Sequence, residues 1–222
     1  MELDLIKVDA GGESAPFADR PGVGARPGLL CDRDGTLIAH RDDYVLEPGH
    51  VRLLPASGSA LRAAADRGFT VAIVSNQSPV GRGLLAVDEA VALHRLVLDG
   101  LAAEGVRVAG SFLCPHAPAH DCFCRKPRPG MVAAAVTAFG LDPARTFYVG
   151  DAVEDVRAAV RGGVRPILVR TGRGAAHEPV VRADPETSAA AVVDDVRAAV
   201  DLAWSLLERA GSAGGRGALC AG

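Results

Sequence analysis

Two aspartates one residue apart, Asp32 and Asp34, follow a short apolar run and precede Gly35 and Thr36. An apolar run that ends in charged residues and glycine is typical of a strand that stops and turns. Carboxylates paired at such a turn can hold a divalent cation such as Mg²⁺, or can divide nucleophile and acid roles between them. Taken alone, the pattern fits a capped turn equally well.

The chain around these aspartates alternates between short β-rich runs and helical stretches, which predicts an α/β fold. In such a fold a parallel sheet carries helices on both faces. Asp32, Ser75 and Asp151 each end a predicted strand, and right-handed crossovers place these ends at one edge of the sheet. The predicted strands are 29–32, 69–75, 110–114, 146–150 and 166–169; the predicted helices are 57–67, 88–104, 130–139, 153–161 and about 188–209.

The 222-residue chain is 49% hydrophobic and 23% charged, which is ordinary for one globular domain. Residues 1–26 and 211–222 are rich in small residues, and we expect them to form flexible extensions. The domain itself is expected over 27–210. No internal repeat and no second domain of comparable size is predicted.

Charge and cysteine content limit the possible partners and the compartment. The net charge of −3 gives no reason to expect nucleic acid or an anionic membrane as a partner. No apolar stretch approaches the roughly 20 residues that span a bilayer, and the first ten residues lack the features of a signal peptide. Five cysteines, three of them clustered, argue against a secreted disulfide framework. We therefore expect a cytoplasmic monomer that acts on a small molecule.

Four short motifs occur in a fixed order: D-R-D-G-T from Asp32, S-N-Q-S from Ser75, R-K-P from Arg125 and G-D-A-V-E-D from Gly150. In this order they resemble the haloacid dehalogenase (HAD) superfamily of phosphatases. The resemblance covers roughly residues 29–174 and implies a Rossmann-like fold.

The motifs supply the groups that phosphoryl transfer requires: a nucleophile, a proton donor and positive charge around the phosphoryl oxygens. Asp32 is predicted to attack phosphorus and form an aspartyl-phosphate, while Asp34 protonates the leaving group and then activates water. Ser75 and Lys126 are predicted to bind the phosphoryl group. Mg²⁺ is predicted at Asp32, the backbone carbonyl of Asp34 and Asp151.

Each of these residues also has a structural interpretation when it is considered alone. Ser75 would then be an ordinary hydroxyl at a strand end, and Lys126 a solvated surface lysine. Asp151 and Asp155 could simply cap a helix, and Asp155 could hold the loop around Asp151. The order of all four motifs favours the catalytic interpretation.

A second group of metal-ligating residues comprises Cys114, His116, Cys122 and Cys124. Three thiolates and one imidazole form a standard tetrahedral zinc set, and this loop has too little apolar content to order itself. We expect a structural zinc because the protein supplies all four ligands. Two alternatives remain open, namely His120 as the imidazole ligand and a disulfide between the last two cysteines.

A zinc loop directly before Arg125 resembles one capless branch of the superfamily, the heptose-bisphosphate and histidinol-phosphate phosphatases. No insertion of cap size lies between 36 and 57 or between 77 and 114. The resemblance implies substrate contacts from Arg125, the S-N-Q-S residues Asn76, Gln77 and Ser78, and the loop at 40–44.

The same resemblance implies a role in carbohydrate metabolism with D-glycero-D-manno-heptose 1,7-bisphosphate as substrate, cleaved at the 7-phosphate. Histidinol phosphate is the alternative substrate. Two further hypotheses are a nucleic-acid end-processing phosphatase and a non-catalytic scaffold that binds sugar phosphates. The negative net charge disfavours the nucleic-acid phosphatase, and the presence of Asp32 and Asp34 disfavours the non-catalytic scaffold.

Three differences between this sequence and that branch bear on the prediction of the substrate. Ala152 stands where heptose-bisphosphate members commonly carry a lysine, and Pro79 stands where glycine is favoured. The acidic segment at 40–44 could favour a substrate amine or simply face solvent. Outside the motifs, we expect Cys31 to be buried in its strand, His94 to be exposed on its helix and Cys220 to be an exposed thiol.

Overall fold

A seven-stranded sheet forms the centre of the computed structural model, which describes residues 5–9 and 26–214. The strands are β1 (Ile6–Val8), β2 (Arg26–Cys31), β3 (Thr70–Asn76), β4 (Ser111–Cys114), β5 (Leu141–Gly150), β6 (Arg165–Val169) and β7 (Ala191–Val193). Their order is β1-β4-β3-β2-β5-β6-β7. Every neighbouring pair is parallel except β1 with β4. The predicted α/β class is confirmed.

Seven helices in the described part of the chain connect and cover the strands. They are α1 (Ser57–Asp66), α2 (Ser78–Gly81), α3 (Val87–Ala103), α4 (Gly130–Phe139), α5 (Val153–Arg161), α6 (Gly174–Ala183) and α7 (Val196–Gly214). None of these helices combines the length and the apolar character needed to cross a bilayer.

The apolar core lies on both faces of the sheet, as the continuous apolar strands predict. Successive strand residues point to opposite faces, so Leu29 and Cys31 pack with α1, α3 and α7, whereas Leu30 packs with α4 and α5. All three side chains are fully buried. The prediction that Cys31 is an interior residue is therefore confirmed.

Helix α3 begins one residue before the predicted start, and its N-cap is Ala86. The backbone N–H of Ala86 donates to Glu89 at 2.7 Å. The long side chain of Glu89 reaches back over one turn and satisfies that donor, which is one half of a capping box; the alanine at the N-cap has no side-chain acceptor for the other half.

Several elements at the two ends of the chain differ from the predictions. Residues 6–8, expected within a flexible extension, form the edge strand β1, because three residues suffice to pair with β4. Residues 188–195, expected in the last helix, instead include β7, whose backbone pairs with β6. Helix α6 was not predicted, and α7 extends to 214, into the expected tail. Residues 1–4, 10–25 and 215–222, including Cys220, lie outside the described residues.

His94 was expected to be exposed, but its side chain is fully buried in α3. Among the described residues, neither ring nitrogen has a hydrogen-bond partner. Burial, with a smaller contribution from the nearby Arg33 charge, lowers the pKa of His94 to about 3. The imidazole is therefore neutral in the folded protein over the whole physiological range.

This buried imidazole predicts a stability that decreases in mild acid. Below about pH 6.5 the unfolded chain binds a proton at His94 that the folded protein does not bind until about pH 3. We expect the free energy of unfolding to decrease between pH 8 and pH 5 by about 1–2 kcal/mol more in the wild type than in His94→Leu. Urea unfolding at both pH values measures this difference. Equal losses in the two proteins would contradict it.

Candidate active site

The polar residues at the strand ends converge, because β3, β2 and β5 are adjacent and parallel. Asp32 follows β2 and is fixed to β5 by its backbone N–H, which donates to the carbonyl of Val149 at 2.9 Å. Ser75 lies in β3, and Asp151 follows β5. A cavity of about 320 Å³ opens at this edge. Its walls include predicted site residues from three of the four motifs, namely Asp32, Asp34, Ser75, Asn76, Gln77, Ser78, Arg125 and Lys126. Asp151 does not line the cavity, but Asp155 of the same motif does.

Two glycines let the backbone pass close to the Asp151 carboxylate. Gly35 and Gly172 have φ values of +86° and +55°, and a Cβ at either position would lie 2.1 or 2.3 Å from Oδ2 of Asp151. The Thr171 hydroxyl donates to the carbonyl of Gly35 at 2.6 Å, which joins the two turns. Glycine is therefore required at both positions for steric as well as conformational reasons.

Lys126 is buried and forms two short ion pairs. Its Nζ lies 2.7 Å from Oδ1 of Asp32 and 2.6 Å from Oδ1 of Asp155. The amide of Asn76 accepts from the backbone N–H of Lys126 at 3.1 Å and donates to its carbonyl at 3.2 Å. These contacts direct the ammonium at the Asp32 carboxylate, and they show that Asn76 positions Lys126.

The protonation states follow from burial and from this ion pairing. Burial, partly offset by Lys126, raises the pKa of Asp32 to about 6. Burial alone would favour the neutral amine of Lys126, but Asp155 and Asp32 outweigh it and raise the pKa well above its ordinary value. At neutral pH Asp32 is therefore an anion beside a permanent cation, which is the state a carboxylate nucleophile requires.

The carboxylates of Asp32, Asp151 and Asp155 form a cluster suited to a divalent cation, with oxygens within 4.8 Å of one another. Oδ2 of Asp151 accepts the backbone N–H of Arg173 at 2.9 Å, whereas Oδ1 is buried without a hydrogen-bond partner among the described atoms. Burial and the two neighbouring carboxylates raise the pKa of Asp151 to about 8. The negative charge of this buried cluster exceeds the single positive charge of Lys126, which favours a bound cation. Carboxylate oxygens are hard donors of the kind that Mg²⁺ prefers.

Asp34 lies at the opening of the same site and is held by two side chains. Arg33 donates to it through Nε at 3.1 Å and NH2 at 3.0 Å. Gln77 Nε2 donates to Oδ2 of Asp34 at 3.2 Å and to the Ser75 hydroxyl oxygen at 3.0 Å. Burial acts to raise the pKa of Asp34, but the charge of Arg33 and these hydrogen bonds outweigh it and lower that pKa.

Arg125 connects the cavity to the cysteine-rich loop. Its NH1 donates to the Ser78 hydroxyl at 2.7 Å and to the backbone carbonyl of His116 at 3.0 Å. Both acceptors are neutral oxygens, so these contacts leave the guanidinium charge available to an anion in the cavity. The position of Arg125 therefore depends on the order of the loop that carries His116.

The loop brings Cys114, His116, Cys122 and Cys124 together, with one donor atom from each within 4.8 Å of the others. Cys124 Sγ lies 3.3 Å from both His116 Nδ1 and Cys122 Sγ. The latter separation exceeds the length of a disulfide bond, and neither cysteine is in a disulfide. His120 lies outside this set, and its Nδ1 accepts the backbone N–H of Ala117. Hydrogen bonding from Cys124 lowers the pKa of Cys114, which favours the thiolate that a metal binds.

The structure adds residues that the sequence did not assign to the site. Asp155, considered structural or loop-holding, ion-pairs with Lys126 and also accepts the backbone N–H of Ala152 at 3.0 Å. Its position four residues after Asp151 was the sequence feature that could have indicated a place in the site. Arg33, Glu154 and Arg173 also line the cavity. Arg33 and Glu154 lie within two of the motifs but were given no role there, and Arg173 lies outside the motifs.

Comparison with known families gives one match to a family model. Residues 123–199 match the model described as HAD-hydrolase-like. This stretch contains Lys126, Asp151 and Asp155.

Similar curated proteins match a longer part of the chain. The chain is 35% identical over 146 residues to a D-glycero-beta-D-manno-heptose-1,7-bisphosphate 7-phosphatase of Pseudomonas aeruginosa, covering 66% of this chain and 82% of that one. It is 33% identical over 166 residues to a protein of the same name from Yersinia pestis, covering 71% of this chain and 88% of the relative.

Solved structures share the architecture. A D,D-heptose 1,7-bisphosphate phosphatase from B. bronchiseptica, complexed with magnesium and phosphate, superposes with a TM-score of 0.74 at 33% identity, covering 82% of this chain and 99% of that chain. A putative HAD-like phosphatase from Mesorhizobium loti has a TM-score of 0.73 at 28% identity, covering 93% and 95%.

Proposed function

Since this chain belongs to the HAD-like phosphatases, we propose that it cleaves the 7-phosphate of D-glycero-D-manno-heptose 1,7-bisphosphate. The observation that carries the proposal is the geometry at Asp32. Its buried carboxylate is paired with Lys126 at 2.7 Å and faces a cavity of about 320 Å³. Asp34 borders the same cavity.

The first step transfers the phosphoryl group to the protein. A carboxylate oxygen of Asp32 forms a bond to phosphorus while the bond from phosphorus to the sugar oxygen breaks. The sugar oxygen takes its proton from Asp34, which must therefore bind a proton before this step, although Arg33 lowers its pKa in the free protein. Lys126 and the Ser75 hydroxyl bind the phosphoryl oxygens. The Ser75 oxygen already accepts from Gln77, so its own hydrogen is free to donate.

The second step regenerates the enzyme. Asp34, now a carboxylate, takes a proton from a water molecule, and the resulting hydroxide oxygen forms a bond to phosphorus. The bond between phosphorus and Asp32 then breaks, and inorganic phosphate leaves. One side chain thus serves first as acid and then as base, so it must lie close to both the leaving oxygen and the attacking water.

Two metals belong to the proposal. Asp32, Asp151 and the backbone carbonyl of Asp34 would hold Mg²⁺ beside Asp155, and the bound ion would lessen the repulsion between the nucleophile and the phosphate. Cys114 and the three other residues of its cluster would hold a structural zinc. The proximity of His116 to the three thiols supports it over His120 as the imidazole ligand.

The charges around the cavity support a substrate with a second anionic group. Arg125 hydrogen-bonds only neutral oxygens among its described contacts. Arg173 is 46% exposed and lines the cavity on the β6 side. The acidic loop at 40–44 repels an anionic substrate less than its composition indicates, because Asp42 is fully exposed and Asp43 is paired with Arg41 at 2.6 Å.

Histidinol phosphate is the second candidate, and Glu154 is the observation that favours it. This residue lines the cavity, and its Oε2 is buried without a hydrogen-bond partner among the described atoms. Such an acceptor could bind a substrate ammonium group. We also propose a cytoplasmic monomer; the absence of a disulfide among the described cysteines supports the reducing compartment.

A substrate panel separates these candidates. We expect kcat/KM for the heptose bisphosphate to exceed that for histidinol phosphate by about 10²-fold or more, because the second phosphate would meet the arginines of the cavity. Steady-state release of inorganic phosphate measures both, with metal analysis of the purified protein alongside. A strong preference for histidinol phosphate would overturn the substrate assignment, and activity on no phosphomonoester would overturn the proposed reaction.

A further inference from the structure

Arg33 lies between the two reactive aspartates and is almost completely buried, with 2% exposure. A buried guanidinium is unfavourable unless a carboxylate compensates it. Its described hydrogen bonds to side chains all go to Asp34, and the closest contact between the two is 2.9 Å, from NH2 to Oδ2. The Asp34 side chain is 28% exposed and faces the cavity. The buried guanidinium of Arg33 therefore contacts Asp34, the residue proposed to donate and accept the proton.

The two oxygens of Asp34 accept different numbers of hydrogen bonds. Oδ2 accepts from Arg33 Nε at 3.1 Å and from Gln77 Nε2 at 3.2 Å, whereas Oδ1 receives only NH2 of Arg33 at 3.0 Å. A carboxylate oxygen can accept about two hydrogen bonds. Oδ1 is therefore the oxygen with capacity left for the proton that is exchanged with the substrate and with water.

Arg33 is itself held rigidly by its own backbone. Its carbonyl accepts the N–H groups of Leu37 at 2.9 Å and Ile38 at 3.0 Å. Both of those residues are fully buried in the core. The guanidinium thus extends from a fixed turn, and its planar bidentate contact fixes the plane of the Asp34 carboxylate.

We propose that Arg33 is a positioning residue that orients Asp34 so that Oδ1 reaches the leaving-group oxygen and the attacking water. This proposal rests on the proposed phosphatase reaction. Without Arg33, Asp34 would keep only the Gln77 contact and would sample other rotamers. A misplacement of this kind lowers the rate of proton transfer but leaves Asp32 and Lys126 in position.

The test compares leaving groups. An alkyl phosphate needs a proton on its departing oxygen, whereas p-nitrophenyl phosphate releases a stable phenolate without one. For Arg33→Met we expect kcat/KM on the alkyl substrate to fall by about 10–10²-fold and that on the aryl substrate to change by less than about threefold. Because Asp34 also activates water, a burst of p-nitrophenolate should appear as the second step becomes rate-limiting.

Asp34→Asn is the benchmark, and it should show the same selectivity between leaving groups with a larger loss. Adding Arg33→Met to Asp34→Asn should change nothing further, because the two residues act through one carboxylate. Arg33→Lys should recover little, since an ammonium cannot make the bidentate contact. Arg41→Met removes another cation of the cavity that contacts Asp43 instead, and it should affect both substrates equally.

An equal loss of Arg33→Met on alkyl and aryl phosphates would show a structural role and overturn the proposal, and so would full activity on both. Urea unfolding identifies a folding failure; in that case Arg33→Gln, which retains one donor group, takes the place of Arg33→Met in the same comparison. Measurements on the wild type distinguish a failure of this proposal from a failure of the proposed function. If it hydrolyses neither substrate, the phosphatase assignment fails; if it hydrolyses both and the variants show no selectivity, only the role of Arg33 fails.

Discussion

Asp32→Asn is expected to lower phosphatase kcat by about 10⁴-fold or more. The amide has nearly the same shape as the carboxylate, but it carries no negative charge and cannot form the acyl phosphate. It also ends the short ion pair with Lys126. Phosphate release under steady-state conditions measures the loss. An acid quench during turnover, followed by mass spectrometry, should detect phosphorylated wild-type protein and no phosphorylated variant.

Asp155→Asn is the matched control for this experiment. It removes the other carboxylate that contacts Lys126, at 2.6 Å, and leaves the nucleophile intact. We expect this variant to be slower than the wild type but still phosphorylated on Asp32. Unfolding measurements on both variants separate lost chemistry from lost structure, since Lys126 retains one carboxylate partner in each. Phosphatase activity of Asp32→Asn above about 1% of wild type would contradict nucleophilic attack by Asp32.

Cys124→Ala is expected to release the zinc and to lower the free energy of unfolding by about 3 kcal/mol or more. The loop carries few large apolar side chains, so metal coordination would supply most of its order. The effect should extend to the substrate, because Arg125 hydrogen-bonds the carbonyl of His116. We therefore expect KM to rise for a bisphosphate more than for a monophosphate. Metal analysis, urea unfolding and steady-state kinetics measure the three effects.

Cys31→Ala provides the control for that variant. It deletes an equally buried thiol in β2, outside the cluster of metal-ligating residues. It should cost about 1 kcal/mol through the lost packing and should leave the zinc content unchanged. If Cys124→Ala retained a full equivalent of zinc and the stability of Cys31→Ala, the cluster would not be a metal site.

The position of the catalytic motifs could be predicted from local sequence. Three of the four motifs follow an apolar run, and in a parallel sheet with right-handed crossovers the carboxyl ends of such runs share one edge. Asp32, Ser75 and Asp151 therefore had to meet once the runs were recognised as strands. The cysteine cluster was predictable for a related reason, since a short loop cannot separate four ligands by much.

The ends of the chain show where local pattern fails. A three-residue strand such as β1 or β7 carries almost no periodicity, and its existence depends on an open sheet edge that another part of the chain provides. His94 shows the same limit for burial. Its side chain is polar, and the surrounding sequence does not reveal that α3 directs it into the core, where neither nitrogen finds a partner among the described residues.

By itself, the sequence determined which residues could carry out the chemistry and at which edge of the sheet they would lie, because chain order and strand direction are local properties. Only the tertiary structure decided how those residues are paired. The contact of Asp155 with Lys126, and that of Arg33 with Asp34, depend on side-chain directions at the turns after β2 and β5 and on the burial around them. Burial makes an unpaired charge costly, so packing of the whole domain, rather than spacing along the chain, selects the partner of each charged group.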